Sequence, residues 1–193
     1  MDLEAESRAL AIAALAGRPP VDQLRSPLDY IFAEHFRQRS LCRILCDLAA
    51  QAHLDREMAK AALDFLRTDF GLHVVDEEKD LFPLLRRRRQ RQDRMNDILG
   101  TLSAEHAADA IDANHIIAAL AAALDDENPV RLDDTARALM TSFAANERRH
   151  LTTENAIVLP LARARLTIAD LETLGRHMAA RRSVTYPEGR DAV

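Results

Sequence analysis

Two short stretches of this sequence place a histidine and a glutamate four residues apart. They are His73-Val74-Val75-Asp76-Glu77 and, seventy-seven residues later, His150-Leu151-Thr152-Thr153-Glu154. On an α-helix four residues advance about 400°, so the imidazole and carboxylate of each pair stand one turn apart on one face, where they can share a metal ion. One such pair is a weak signal, because His and Glu also fall four apart on solvated helices as ordinary neighbours. Here the surroundings repeat as well. Pro83 and Pro160 each lie ten residues after their His, Asp69 and Asn146 each four residues before it. Upstream, Ala33-Glu34-His35 precedes the first pair and Ala104-Glu105-His106 the second. Each half reads as a helix with one His, then a helix with His-x-x-x-Glu and a Pro stop, an internal repeat of two helical hairpins. Four helices pointing four His and two Glu inward have the geometry of a two-metal site in a bundle core.

Hydrophobic periodicity supplies the helices that must carry these groups. The first long helix starts after Ser26, which can cap it, with Pro27 in its first turn. Its inner face runs Leu28, Ile31, His35, Cys42, Leu45 or Cys46, and Ala49. The second spans about Asp55 to Leu81 and turns Met58, Ala62, Phe65 or Leu66, Phe70, His73 and Glu77 inward. Gly71 inside it lowers helix stability by about 1 kcal/mol relative to Ala, which a close helix approach beside His73 would explain. The third, about Asp93 to Leu124, presents Leu99, Leu102, His106, Ala113 and Ile117 or Leu120; Asp125-Asp126-Glu127-Asn128-Pro129 then forms a turn. The fourth, Asp133 to about Leu159, presents Ala136, Leu139 or Met140, Phe143, His150, Glu154 and Ile157. A short helix over residues 2–16 ends at Gly17, and another begins at Thr167-Ile168-Ala169-Asp170, covers one end of the bundle and gives way to a ragged tail from Ser183. The expected organisation is an N-terminal appendage and linker over 1–25, a bundle over 26–165, and a C-terminal helix and tail over 166–193.

Composition agrees with an all-α fold. The 193 residues suit one domain, are 48% hydrophobic with Ala and Leu dominant, and are only 4% aromatic with no Trp, a profile that disfavours an all-β fold. A net charge of −5 argues against general nucleic-acid binding; Arg86-Arg87-Arg88-Arg89 reads as a solvated connection past a terminated helix. Two Cys, no charged-then-apolar leader and no apolar run of membrane-spanning length point to a soluble, reducing compartment, the cytoplasm, with no membrane partner. Cys42 and Cys46, four apart on one face, read as small buried hydrophobes, since a disulfide within one helical turn would need distorted geometry.

Burying four imidazoles and two carboxylates together without a cation is costly, and a pair of metals removes that cost. Imidazole and carboxylate without thiolate suit iron, manganese or zinc, with iron the usual choice for redox or dioxygen chemistry in such bundles. His53, His115 and His177 lie outside the pattern and read as surface residues.

The arrangement of His35 after Glu34, His73-x-x-x-Glu77-Glu78 with Leu81-Phe82-Pro83, His106 after Glu105, and His150-x-x-x-Glu154 with Leu159-Pro160 resembles the hemerythrin-like (HHE cation-binding) domain. The resemblance covers roughly residues 26 to 165. It implies an up-down four-helix bundle with an oxo- or hydroxo-bridged di-iron centre, other divalent metals being alternatives. Glu77 and Glu154 match the bridging carboxylates, and His35, His73, His106 and His150 the terminal ligands. The sequence departs from the oxygen carriers of this family at Ala110, where they have a second His one turn after the first. That leaves an open position for Asp109, Glu105 or water. Asp69 with Phe70 and Asn146 with Glu147, one turn before the ligands, would make the pocket wetter and more reactive than a carrier's.

The function so implied is that of a di-iron protein that binds or responds to dioxygen, nitric oxide, or cellular iron and redox state, with an unidentified protein partner reading the N- or C-terminal helix. A di-iron enzyme is the competing class: a peroxidase, a nitric oxide reductase or an iron-sulfur cluster repair protein, the last disfavoured because no Cys precedes Cys42. Oxygen or iron carriage is weakened by Ala110 and by the small capacity of one two-metal bundle. A metal-free interaction module remains the non-chemical alternative.

Overall fold

The computed structural model describes residues 3–126 and 131–187, which contain no strand. The expected turn at Asp125–Pro129 runs into residues outside this range. Six helical rods are present among the described residues. α1 is Leu3–Ala16 and α2 is Pro27–Ala50. α3 covers 56–88 and α4 is Met95–Asp125. α5 covers 134–165 and α6 is Ile168–Arg181. Rods α2 to α5 form the up-down bundle, α1 lies along α2 and α3, and α6 packs on α2, α3 and the short 3-10 turn Val21–Arg25.

Local chemistry sets most boundaries. The Asp55 side chain accepts hydrogen bonds from the Glu57 and Met58 amides to start α3, and Asp133 does the same for Ala136 at α5. Thr167 and Asp170 form a reciprocal capping box at α6. Two expected caps differ. Ser26 precedes α2, but its hydroxyl makes no capping bond; its carbonyl accepts from Asp29 and Tyr30. Gly17 follows α1 without entering the left-handed region, its amide simply continuing the ladder to Ala13 O at 2.9 Å.

The prolines do not stop their helices. α3 continues through Pro83 to Arg88, and α5 through Pro160 to Arg165. In each case a π turn precedes the Pro, Glu77–Leu81 in α3 and Glu154–Val158 in α5. There the Phe82 amide reaches back five residues to Glu77 O, and Leu159 to Glu154 O. A proline ring normally presses on the carbonyl four residues back. Lys79 and Ala156 hold those carbonyls, and both sit inside the widened turn. The extra residue also shifts the register. Ile157, expected inward, is 38% exposed, and Val158 takes the buried place.

A second π turn, Leu66–Phe70, precedes Gly71 in α3. No neighbour approaches Gly71: a Cβ there would meet nothing within 4 Å, so close packing is not its reason. Gly175 of α6 is the glycine that close packing requires, since a Cβ would lie 2.3 Å from Leu24 O. Residues Arg86–Arg88 form the last turn of α3, not a connection, and Arg87 and Arg88 both bind Asp170 of α6. Beyond α6, the Val184 amide returns to Ala179 O and Arg176 lies over the Tyr186 ring, so this part of the expected ragged tail folds onto α6.

α4 is long and apolar enough to cross a membrane by length and composition, contrary to the expectation from sequence. Its Ala-rich outer face produces that composition, while its inner face packs against α3 and α5 and carries His106. The core lies in two apolar clusters. One gathers Leu41, Leu45, Phe70, Ala113, Ile116, Leu120, Met140 and Phe143, with Leu15 of α1. The other gathers Ile31, Leu81, Phe82, Leu102, Val158 and Leu159, with Leu174 and Met178 of α6. Between them lies a buried polar layer.

Candidate metal centre

That layer is built from one or two residues of each bundle helix: His35 of α2, His73 and Glu77 of α3, His106 of α4, and His150 and Glu154 of α5. All six are buried, none more than 6% exposed. They form two overlapping groups, His35-His73-Glu77-Glu154 and Glu77-His106-His150-Glu154, with the donor atoms of each group within 4.8 Å of one another. Both glutamates belong to both groups. His35 Nε2 lies 3.6 Å from Glu77 Oε1 and 3.3 Å from Glu154 Oε2. The other Nε2 atoms lie 3.5 Å (His73) and 3.3 Å (His106) from Glu77 Oε2, and 3.2 Å (His150) from Glu154 Oε1.

These separations are long for hydrogen bonds. They suit donors each about 2 Å from a common ion, which at right angles lie about 3 Å apart. The unmet polar atoms support the same fit. His35 Nε2, His150 Nε2 and all four carboxylate oxygens of Glu77 and Glu154 are buried without a hydrogen-bond partner. A cation pair would meet that deficit.

The opposite ring nitrogens are held from outside. Nδ1 of His35 bonds Asn155 Oδ1 at 2.8 Å, His106 Nδ1 bonds Glu78 Oε1 at 2.8 Å, and His150 Nδ1 bonds Glu105 Oε2 at 2.9 Å. Such bonds fix the tautomer that leaves Nε2 free to ligate. Asn155 had no role in the sequence reading, and Glu78 none beyond the motif. The repeat carries their signal: each directly follows a ligand Glu, and each reaches a His of the other half. His73 is the exception. Its Nδ1 is buried without a partner, because Glu34, the counterpart of Glu105, turns instead to Arg37 at 2.9 Å.

Electrostatics show what occupies the centre's place in the balance of charge when only protons are available. Burial lowers the pKa of His106, but the Glu77 carboxylate beside it outweighs burial and raises it to about 9. His150 is raised to about 10 against burial by Glu154. His73, more fully buried and with other imidazoles around it, is lowered to about 3. Burial favours the neutral form of Glu77, yet the surrounding His73, His106 and His35 hold it well below the usual carboxylate range. Glu154 moves up, through burial and the charge of Glu77. These opposed shifts follow from packing four imidazoles and two carboxylates into one buried layer.

Residues 26–162 match the family model described as the Hemerythrin HHE cation binding domain, more than half of the 193-residue chain. The chain belongs to this family. No curated protein and no solved structure gives a match.

Within this hemerythrin-like bundle, the residues expected around the centre divide. Asp69 faces away, bonded to Arg18 at 2.8 Å and to Arg37. The Asn146 side chain goes to Arg149. Glu147, its neighbour, is buried beside the centre, where burial foremost raises its pKa to about 8. Ala110 is exposed, so the inward position one turn after His106 is Asp109, 3% exposed. Of the other histidines, His53, His115 and His177 are exposed, and His177 bonds Asp80 at 2.6 Å. Cys42 is buried and Cys46 half-buried, both free. Burial foremost pushes the Cys42 thiol up, consistent with an inert packing role.

Proposed function

We propose that the bundle, taken as residues 26–165 between flanking segments 1–25 and 166–193, holds two iron ions through His35, His73, His106 and His150, with Glu77 and Glu154 bridging, and responds to dioxygen, nitric oxide or redox state. The observation that carries this reading is the set of six buried side chains from four helices that form two ligand groups sharing Glu77 and Glu154, with His35 Nε2, His150 Nε2 and all four carboxylate oxygens buried without a partner. An iron pair supplies, when bound, open coordination positions and electrons for a small diatomic ligand. The chain's own part is to orient three imidazoles through Asn155, Glu78 and Glu105, and to keep water out with Phe82, stacked on His106 at 5.7 Å between centroids.

A sensing role draws support from the outer face of α3. Asp69 lies four residues before His73; Asp76 and Asp80 flank Glu77. Asp69 is tied to Arg18 after α1, while Asp76 and Asp80 are tied to Arg181 at the end of α6. Both flanking segments are thus fastened to the helix that carries two ligands, so a shift of its π turns on ligand binding would reach them.

Hydrogen exchange of the iron-loaded, reduced protein before and after nitric oxide or air tests this. The expected outcome is a change in protection at residues 14–22 and 177–186 as well as around the centre. A change confined to the centre would remove the sensing role and leave metal binding standing.

A further inference from the structure

Four of the six phenylalanines, Phe65, Phe70, Phe82 and Phe143, are buried, none more than 5% exposed. The other two are not. Phe32 and Phe36 of α2 are 50% and 61% exposed and stand one turn apart on one face of the helix. A single exposed apolar residue needs no explanation, but two aromatic rings side by side on a long helix make a patch. The neighbouring rods leave this strip open. α1 meets α2 on one side, where Arg43 bonds Ser7 and Arg37 bonds Leu15 O; α5 meets it on the other, where His35 bonds Asn155 and Asp29 bonds Arg163.

The strip continues beyond the two rings. Asp29, Phe32, Phe36, Arg39 and Arg43 follow one another at intervals of 3, 4, 3 and 4 residues, the spacing of a seam along which two helices pair, and all five are exposed. Charge changes sign along it, from an acid at the N-terminal end, through the two rings, to two arginines. About the midpoint between Phe32 and Phe36, Asp29 stands five residues to one side and Arg39 five to the other. An identical strip laid antiparallel therefore sets each Phe32 against Phe36 of the second copy and each Asp29 against Arg39 of the second copy. Laid parallel, it sets Asp29 against Asp29 and arginine against arginine. Both charged groups have capacity to spare: Arg39 has no carboxylate partner among the described residues, and Asp29 gives Arg163 only Oδ1 while its side chain stays 57% exposed.

We propose that this outer face of α2 is the contact of a two-fold symmetric dimer of the chain, with the two α2 helices antiparallel, the four rings at the centre and an Asp29–Arg39 pair at each end. A self-complementary patch of this kind closes on itself as a dimer and does not propagate. Its apolar centre and charged ends have the layout of a protein interface. The seam is short, so association is reversible and depends on concentration. The proposal is independent of the metal reading, although it sets the helix that carries His35 at the contact.

Sedimentation equilibrium of the full chain, from about 1 μM to about 1 mM, gives the dimer dissociation constant of wild type and variants. Phe36→Glu, at a solvent-facing position, keeps the helix content and melting temperature of the wild type and weakens the dimer at least about thirty-fold. Phe32→Ser repeats the measurement at the other ring. Asp29→Arg and Arg39→Asp each weaken the dimer about ten-fold by setting like charges face to face. The chain carrying both changes returns to within about three-fold of wild type, a rescue that the antiparallel register predicts and the parallel one does not. A wild-type chain that stays monomeric throughout overturns the proposal and leaves the strip to a different partner. Dimers that neither phenylalanine variant weakens overturn it by placing the contact elsewhere, and dimers that the double change fails to restore overturn it by excluding this register.

Discussion

At the scale of single residues, protons and metals compete for the same atoms. His106 and His150, raised to about 9 and about 10, are protonated at neutral pH in the metal-free chain. A ligating imidazole is neutral, so loading must release their protons. The sign follows: apparent metal affinity rises with pH and levels off above the two raised values. A weakly buffered solution at pH 7 should acidify on metal addition by one proton from each of these two histidines; loading without acidification would mean the metals bind elsewhere. The glycines give a second residue-scale contrast. Gly71→Ala, in open space on right-handed backbone, should leave stability unchanged or raise it by up to about 1 kcal/mol. Gly175→Ala, forced against Leu24 O, should lower it by about 1 to 3 kcal/mol. Thermal unfolding of the two variants checks both signs. The six centre residues were legible in the sequence because each sits at a repeated spacing. Asp109 was harder to assign, since the family pattern directs attention to the next residue, Ala110, and only the helix's rotation decides which one faces inward.

At the scale of elements, the π turns are what the sequence could not announce. His73-x-x-x-Glu77 reads as ordinary helix, and Pro83 and Pro160 read as terminators, because helical periodicity carries no mark for one inserted residue. Both turns begin at a ligand Glu, and both let the rod continue for seven further residues in α-helix. Those added residues matter: Arg87 and Arg88 reach α6, and Arg165 pairs with Asp93 at 2.7 Å. On the other side of α3, Arg37 is the buried link between α1, α2 and α3. Its guanidinium bonds Leu15 O, Glu34 and Asp69, and stacks on Phe65 at 4.8 Å. Arg37→Ala leaves Glu34 and Asp69 without that cation, so a loss of roughly 3 kcal/mol is expected in denaturant unfolding. A loss below about 1 kcal/mol would mean that Arg18 alone suffices for Asp69.

At the scale of the whole molecule, a polar layer divides two apolar clusters, and hydrophobic packing does not explain it. The bundle is stable enough to carry it because four helices bury continuous stripes on both sides. Flanking helices then brace the ligand-bearing α3 through arginine-carboxylate pairs. The sequence repeat identified the bundle and its centre; it was silent on this bracing, whose partners lie as much as 105 residues apart with no shared spacing. The most direct test of the account is metal content of protein expressed in iron-replete medium, read with the absorption spectrum of the oxidised form. Two irons per chain, with charge-transfer absorption that disappears on reduction, are expected. Well under one metal per chain, in a protein with unchanged helix content and melting temperature, would contradict it and leave the six buried side chains as a polar layer without an ion.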